Sequence, residues 1–201
     1  MKHQHTFTLI ELLMTVAIVV ILAGILVPAV MSGIKKGQQA KAKAEIVTLV
    51  NAIKQYENTY NKLPKYTEKT AMSVPENLIK ALQGNGTITA SSNKVNPRQI
   101  SFLEKRNTGE GDFLDPWGHA YRIILNSDET ILLTDLYVST DDPPLTGAAL
   151  LAKAKEYYKE NDTIYQSVVI WSRGPDEKWD TKDDVHSFEA EYEAGQWHVT
   201  N

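Results

Sequence analysis

The chain has 201 residues, no cysteine, and a formal net charge of −4 from 21 basic and 25 acidic side chains. Without cysteine, disulfides and thiolate metal sites are excluded. The slightly acidic balance argues against a nucleic-acid-binding surface, and the chain is long enough for one domain with its own hydrophobic core besides any anchor.

The first predicted element is an apolar segment from Phe7 to Met31. It carries one charge, Glu11, and the run from Leu12 to Val30 carries none. As a helix, this run would be roughly 28 Å long, close to the ~30 Å hydrocarbon core of a bilayer. It is longer than the apolar part of a secretory signal peptide, and no Ala-x-Ala cleavage site follows it. The segment is therefore predicted to enter a membrane.

Glu11 is the unusual residue of this segment, because an ionisable side chain in lipid costs about 2.5–3.5 kcal/mol on insertion scales. Its position predicts a functional role. The alternative is a carboxylate that reaches water at the interface, and the short glutamate side chain disfavours it. The sequence FTLIELL from Phe7, with Glu11 four residues later and Pro28 within the apolar run, closely resembles the N-terminal signature of type IV pilins and pseudopilins.

This resemblance implies that a prepilin peptidase cuts between Thr6 and Phe7 and that the new N-terminus at Phe7 is methylated. Thr6 stands where most family members have glycine. The resemblance also implies that Glu11 pairs with the N-terminal amine of a neighbouring subunit during assembly. Two charges that are each costly in lipid offset one another when they are brought together.

Beyond the anchor, four lysines are interleaved with alanine and glutamine, and apolar residues then recur at three- and four-residue spacing as far as Tyr60. This pattern predicts one nearly continuous helix from about Thr8 to Tyr60, whose second half is amphipathic and lies in a groove of the soluble domain. Leu63-Pro64 ends the helix. Ser73–Glu76 predicts a capping box that starts a short helix at Asn77–Leu82.

The segment Asp115–Tyr121 (DPWGHAY) predicts a rigid turn with Trp117 available to the core. It also resembles the segment that opens the sheet in major pseudopilins of type II secretion. The apolar runs Arg122–Leu125 and Ile131–Val138 predict a β-hairpin. The other predictions are a helix at Gly147–Glu160, a buried strand at Val168–Trp171, an edge strand around Glu189–Glu193, and surface positions for His186 and His198.

An acidic loop follows the last buried strand, with five carboxylates within nine residues: Asp176, Glu177, Asp180, Asp183 and Asp184. Crowded oxygen ligands without histidine or cysteine favour calcium over zinc or copper. Composition alone does not separate a calcium site from a solvated acidic loop.

The acidic loop is also similar to the calcium loop of major type II secretion pseudopilins. That resemblance implies that the side chains of Asp176, Asp183 and Asp184 bind calcium together with the Arg173 carbonyl. Glu177 and Asp180 depart from the family pattern, because glycines are common at their positions.

The sequence as a whole predicts an α+β, pilin-like lollipop, in which a long N-terminal α-helix packs on a small antiparallel β-sheet with a C-terminal calcium loop. Its expected parts are a leader peptide (1–6), a membrane-spanning and filament-core half of the helix (7–31) and a soluble domain (32–201). The predicted function is that of a structural pseudopilus subunit in type II secretion. The protein is predicted not to be an enzyme, because no nucleophile–base constellation is evident in the sequence.

Two alternative functions stay open: a subunit of a type IV pilus or competence filament, and a membrane-anchored calcium-binding module. The resemblance implies a single-pass location in the bacterial inner membrane with the soluble domain in the periplasm. The expected partners are other pseudopilins, prepilin peptidase, the inner-membrane assembly platform and inner-membrane lipid, and not nucleic acid.

Overall fold

The computed structural model describes residues 9–64, 72–84, 89–90, 93–104, 113–126, 130–137, 147–159 and 162–200. The chain divides into two compact units, Met1–Gln38 and Gln39–Asn201. Helix α1 (Leu9–Tyr60) contributes residues to both units, which confirms the predicted long helix. The predicted cleavage position, Thr6–Phe7, lies outside the described residues.

The first unit contains the apolar half of α1. No side chain from Leu9 to Gly37 is buried within the isolated chain. Pro28 lies inside the helix, where it removes one backbone hydrogen bond without ending the element. In the part of the chain that the structure describes, α1 is the one helix that is long and apolar enough to cross a membrane, judged by length and composition.

The second unit begins with the amphipathic half of α1. Its buried residues recur three or four positions apart, which places them on one face of the helix. They are Ala42, Glu45, Ile46, Leu49, Ala52, Ile53 and Tyr56. The helix ends before Asn61, whose φ of 53° suits a left-handed terminating residue. The predicted amphipathic half is thus confirmed.

The remaining elements are short and form one main sheet with smaller pairs. In chain order they are β1 (Met72–Ser73), α2 (Glu76–Leu82), β2 (Thr89–Ala90), β3 (Asn93–Lys94), β4 (Arg122–Leu125), β5 (Ile131–Leu132), a 3-10 helix (Leu133–Leu136), α3 (Gly147–Tyr157), β6 (Thr163–Ile164), β7 (Val168–Ser172), β8 (Val185–His186), β9 (Ala190–Glu193) and β10 (Gln196–Val199). The main sheet has the order β1-β4-β7-β8, and all its neighbours are antiparallel. Strands β9 and β10 form a hairpin. The predicted α+β class is confirmed.

Strands β4 and β7 form the centre of the second unit and are buried along their whole length. Side chains alternate between the two faces of a strand. On one face, Ile123 and Ile170 pack into a core with α1 and α2. On the other face, Val169 and Trp171 pack into a second core that includes residues around α3 and β10. The main sheet therefore lies between two hydrophobic cores.

Two predicted local features are wrong. The runs Arg122–Leu125 and Ile131–Val138 do not form a hairpin, because β4 pairs with β1 and β7 while β5 pairs with β6. Ser73–Glu76 does not form a capping box, because Ser73 lies in β1 and Pro75 occupies the N-cap without a side-chain hydrogen bond. In both cases pairing with a distant strand replaces the predicted local contact.

Other predictions hold with small shifts. The helix predicted at Gly147–Glu160 is α3, which ends at Tyr157. The predicted buried strand is β7, and the predicted edge strand is β9. Trp117 is only half-buried and belongs to neither core. The large aromatic side chains that fill the cores include Tyr121 and Trp171 instead, and both are fully buried.

Candidate functional site

The first candidate site is the start of α1. Glu11 lies in the first turn of the helix, where a negative charge interacts favourably with the helix dipole. It is exposed at the surface of the isolated chain. In sequence it is the one charge between Leu9 and Ile34. Thr6 and Phe7, the predicted cleavage and methylation residues, lie outside the described residues.

The second candidate site is the acidic loop, residues 173–184, between β7 and β8. These strands are adjacent and antiparallel, with Ser172 opposite Val185. The pairing brings Arg173, at the start of the loop, close to Asp184 at its end. The structure therefore joins one predicted backbone ligand with two predicted carboxylate ligands, Asp183 and Asp184.

Gly174 closes the loop by a close backbone approach. Its φ is +63°, and a Cβ added there would lie 2.2 Å from the carbonyl oxygen of Asp183 and 3.2 Å from its Oδ2. Glycine is required for this close approach, and it adopts this conformation without the strain that a side chain would add. The start of the loop is thereby pressed against one of the predicted calcium ligands.

The DPWG turn anchors the start of the acidic loop. The Ser172 hydroxyl donates a 2.6 Å hydrogen bond to Oδ2 of Asp115 and accepts one from the Gly174 amide at 3.2 Å. Asp115 is buried, and its Oδ1 accepts the amides of Trp117 and His119 at 3.0 and 2.8 Å. The two motifs that resemble those of major pseudopilins are therefore joined through one serine.

Hydrogen bonds organise the predicted calcium ligands. The Asp176 amide donates to Oδ2 of Asp183 at 3.0 Å, and Oδ1 of Asp176 accepts the Lys178 amide at 2.8 Å. The Thr181 hydroxyl donates to Oδ1 of Asp183 at 2.8 Å. Asp176 is exposed, Asp183 half-buried and Asp184 buried.

The donors available to a cation in this loop are carboxylate and carbonyl oxygens, which is the chemistry that calcium prefers. Within the described ranges, no three side chains of the types His, Cys, Asp and Glu are grouped as a ready metal site. Coordination would therefore need the loop carbonyls as well as a reorientation of carboxylates that now accept hydrogen bonds from the loop itself.

Two carboxyl groups are buried together on the inner side of the loop. The Asp180 amide donates to Oδ2 of Asp184 at 2.9 Å. Burial and, to a smaller extent, the charge of Asp180 together raise the pKa of Asp184 to about 8. Burial also raises the pKa of Asp180 to about 6, against the opposing effects of a hydrogen bond from Tyr158 and of the Arg122 charge. Both carboxyl groups therefore hold a proton more readily than an exposed aspartate does.

Several of these contacts were not foreseen from the sequence. Glu177 and Asp180, which stand where glycines are common in the family pattern, have φ values of 62° and 66°. The loop thus keeps a left-handed backbone at both positions without glycine. That departure was the available signal for unusual loop geometry, whereas nothing local indicated that Asp180 contacts Tyr158.

His186 is buried, so its predicted surface position is wrong. Its ring packs against Phe188 and Trp197, with centroid distances of 4.9 and 4.4 Å. Burial and, to a smaller extent, the nearby charge of Lys43 together lower the pKa of His186 to about 3. The Lys43 ammonium donates to the His186 carbonyl at 2.7 Å, which ties α1 to the strand after the acidic loop.

A buried carboxylate on α1 was also missed. Glu45 is 5% exposed, and its Oε2 accepts a 2.6 Å hydrogen bond from the hydroxyl of Tyr121, which is fully buried. Tyr121 follows the DPWG turn in sequence. This contact connects the amphipathic half of α1 to the start of the main sheet.

Sequence comparison with known proteins identifies the class of this chain. Residues 1–27 match the family model described as the prokaryotic N-terminal methylation motif, which defines the class of N-methylated, pilin-like proteins. The type II secretion system core protein G of Vibrio cholerae is 30% identical over 134 residues, covering 64% of this chain and 76% of the relative. The proteins of the same name from Aeromonas hydrophila and Escherichia coli are each 28% identical, over 61% and 63% of this chain and 74% of each relative.

The chain belongs to the family of type II secretion system core protein G. No solved structure matches it.

Proposed function

We propose that the protein is a structural, non-catalytic subunit of the pseudopilus in type II secretion. It is made as a prepilin, cut between Thr6 and Phe7, methylated on Phe7 and assembled with other pseudopilins into a helical filament. One observation carries the proposal: the methylation motif over residues 1–27 belongs to a chain that spans 76% of a relative named type II secretion system core protein G. Those relatives favour secretion over a pilus or competence filament.

The apolar half of α1 supports both stages of this role. Before assembly its apolar surface contacts inner-membrane lipid, and in the filament it packs against the same helix of neighbouring subunits. Transfer between two apolar surroundings requires little change in hydration. The Glu11 carboxylate is the exception, and pairing with the Phe7 amine of a neighbour offsets the cost of both charges.

The proposed processing and assembly steps each require a further partner. Prepilin peptidase cuts the precursor, and the inner-membrane assembly platform adds subunits to the filament. We propose that the second unit, Gln39–Asn201, lies on the periplasmic side of the inner membrane. The long apolar helix supports the single-pass anchor.

We also propose that the acidic loop binds calcium through the side chains of Asp176, Asp183 and Asp184 and the Arg173 carbonyl. Three features support it: oxygen-only donors, the closure of the loop at Gly174, and the crowding of buried carboxyl groups around Asp184. When bound, the ion would neutralise the negative charge of its carboxylate ligands. It would also add its binding free energy to the stability of the fold.

Mass spectrometry of the N-terminus, on protein from cells that express the prepilin peptidase, tests the proposed class. We expect a chain that starts at methylated Phe7, and an intact Met1 in those cells would contradict the proposal.

For assembly, Glu11→Ala should abolish filaments while membrane insertion stays normal. Thr15→Ala is the matched control, because that hydroxyl donates to the Leu12 carbonyl of its own helix. Normal filaments from Glu11→Ala would refute the assembly role of this residue.

A further inference from the structure

Helix α3 reaches the acidic loop through Tyr158, the residue that follows the helix. Tyr158 is fully buried, and its hydroxyl donates a 2.5 Å hydrogen bond to Oδ1 of Asp180. The next residue, Lys159, is held on the other side, because its amide donates to the Trp197 carbonyl at 3.0 Å. The end of α3 therefore lies fixed between the acidic loop and the C-terminal hairpin.

Asp180 transmits this contact to a proposed calcium ligand. Its amide donates to Oδ2 of Asp184, and its backbone has a φ of 66°. A residue other than glycine in this conformation persists only where surrounding contacts hold it. The bond from Tyr158 is one such contact, because it fixes the side chain of Asp180 while the backbone keeps its left-handed turn.

Arg122 and Trp179 pack against each other next to Asp180. The guanidinium carbon of Arg122, in β4, lies 3.8 Å from the ring centroid of Trp179, the residue before Asp180. Arg122 is buried, so its charge acts on Asp180 through a poorly solvated region. Asp180 is therefore held from β4 by charge and from α3 by a hydrogen bond.

We infer that Tyr158 is a positioning residue for the acidic loop: its hydroxyl holds Asp180, Asp180 orients Asp184, and the α3 segment thereby sets the affinity of the loop for calcium. This inference rests on the calcium site proposed above. It gives a role to the end of α3, and it explains why Asp180 stands where glycine is common in the family pattern.

Calcium titration of the full-length protein in detergent, followed by calorimetry, tests the inference. Tyr158→Phe keeps the buried ring and removes the hydroxyl, and we expect it to weaken calcium binding about tenfold. Tyr157→Phe is the matched control, because Tyr157 is half-buried on the same helix and stacks on Tyr137 at 5.6 Å. Its affinity should match the wild type. Equal affinity in Tyr158→Phe would overturn the inference alone, whereas a wild-type protein that binds no calcium would overturn the proposed metal site.

A second variant separates positioning from coordination. Asp180→Asn keeps an acceptor oxygen and the backbone amide, and asparagine tolerates a positive φ. It should lose less affinity than Tyr158→Phe, and a larger loss would mean that Asp180 itself coordinates the ion, which would overturn the role assigned to Tyr158. Hydrogen exchange measured in chelator needs no metal: the Asp180 amide should exchange faster in Tyr158→Phe, and unchanged exchange would also overturn the inference.

Discussion

Replacement of Gly174 by alanine tests the closure of the acidic loop. The new Cβ would meet the Asp183 carbonyl oxygen at 2.2 Å and its carbonyl carbon at 2.8 Å, so backbone atoms must move. Overpacking of this kind costs about 1–3 kcal/mol. The φ of +63° adds about 1–2 kcal/mol for any residue with a side chain. The sum, about 2–5 kcal/mol, is a large part of the ~5–15 kcal/mol that stabilises a typical domain.

Gly195→Ala isolates the clash from the backbone term. Gly195 has a φ of +90°, and nothing lies within 4 Å of its added Cβ. Thermal unfolding of the full-length variants in detergent, measured by circular dichroism with chelator present, should show Gly174→Ala less stable than Gly195→Ala by about 1–3 kcal/mol. That difference corresponds to a melting temperature lower by several degrees, at about 2–4 °C per kcal/mol. Equal melting temperatures would refute the close approach.

Two further predictions concern buried carboxyl groups. In chelator, the stability of the fold should fall as the pH rises from about 6.5 to 8, because Asp184, with a pKa of about 8, keeps a proton that the unfolded chain releases near pH 4. Below about pH 6.5, His186 acts in the opposite direction, since its folded pKa is about 3. Denaturant unfolding at several pH values should show this slope in the wild type and not in Asp184→Asn. A wild-type slope of opposite sign in this range would contradict the argument. Tyr121→Phe removes a donor to buried Glu45 and should cost about 1–3 kcal/mol, whereas Tyr165→Phe, at a residue 79% exposed, should be neutral.

The long helix was predictable because its signals are local. The apolar run, the spacing of the buried residues and the Leu63-Pro64 stop all lie along one continuous stretch of sequence. Strand pairing was harder to predict, because β4 takes its partners from β1 and β7. Strand β7 begins 43 residues after the end of β4.

 In register terms, Leu125 at the end of β4 lies opposite Val168 at the start of β7. A hairpin between β4 and the next apolar run would have been the most local pairing. Because β4 is buried on both faces, it pairs with the distant strand β7 instead.

The location of the acidic loop was also predictable, since charge density and the Gly-Pro turn are visible in the sequence. Its internal contacts were not. Tyr158 and Asp180 are 22 residues apart, and Glu45 and Tyr121 are 76 residues apart. Whether such a polar residue is exposed or buried depends on elements that meet only in the folded chain, so sequence spacing carries no signal for these pairs.

The position of β4 and β7 between two cores has a consequence for how the second unit unfolds. Each core uses side chains from the same two strands, Ile123 and Ile170 on one face and Ile124 and Trp171 on the other. If the elements packed on one face of these strands separated, that face would be exposed to water. The strands would then pack less firmly against the elements on the other face. The two cores are therefore thermodynamically coupled, and the domain should melt in a single cooperative transition despite its many short elements.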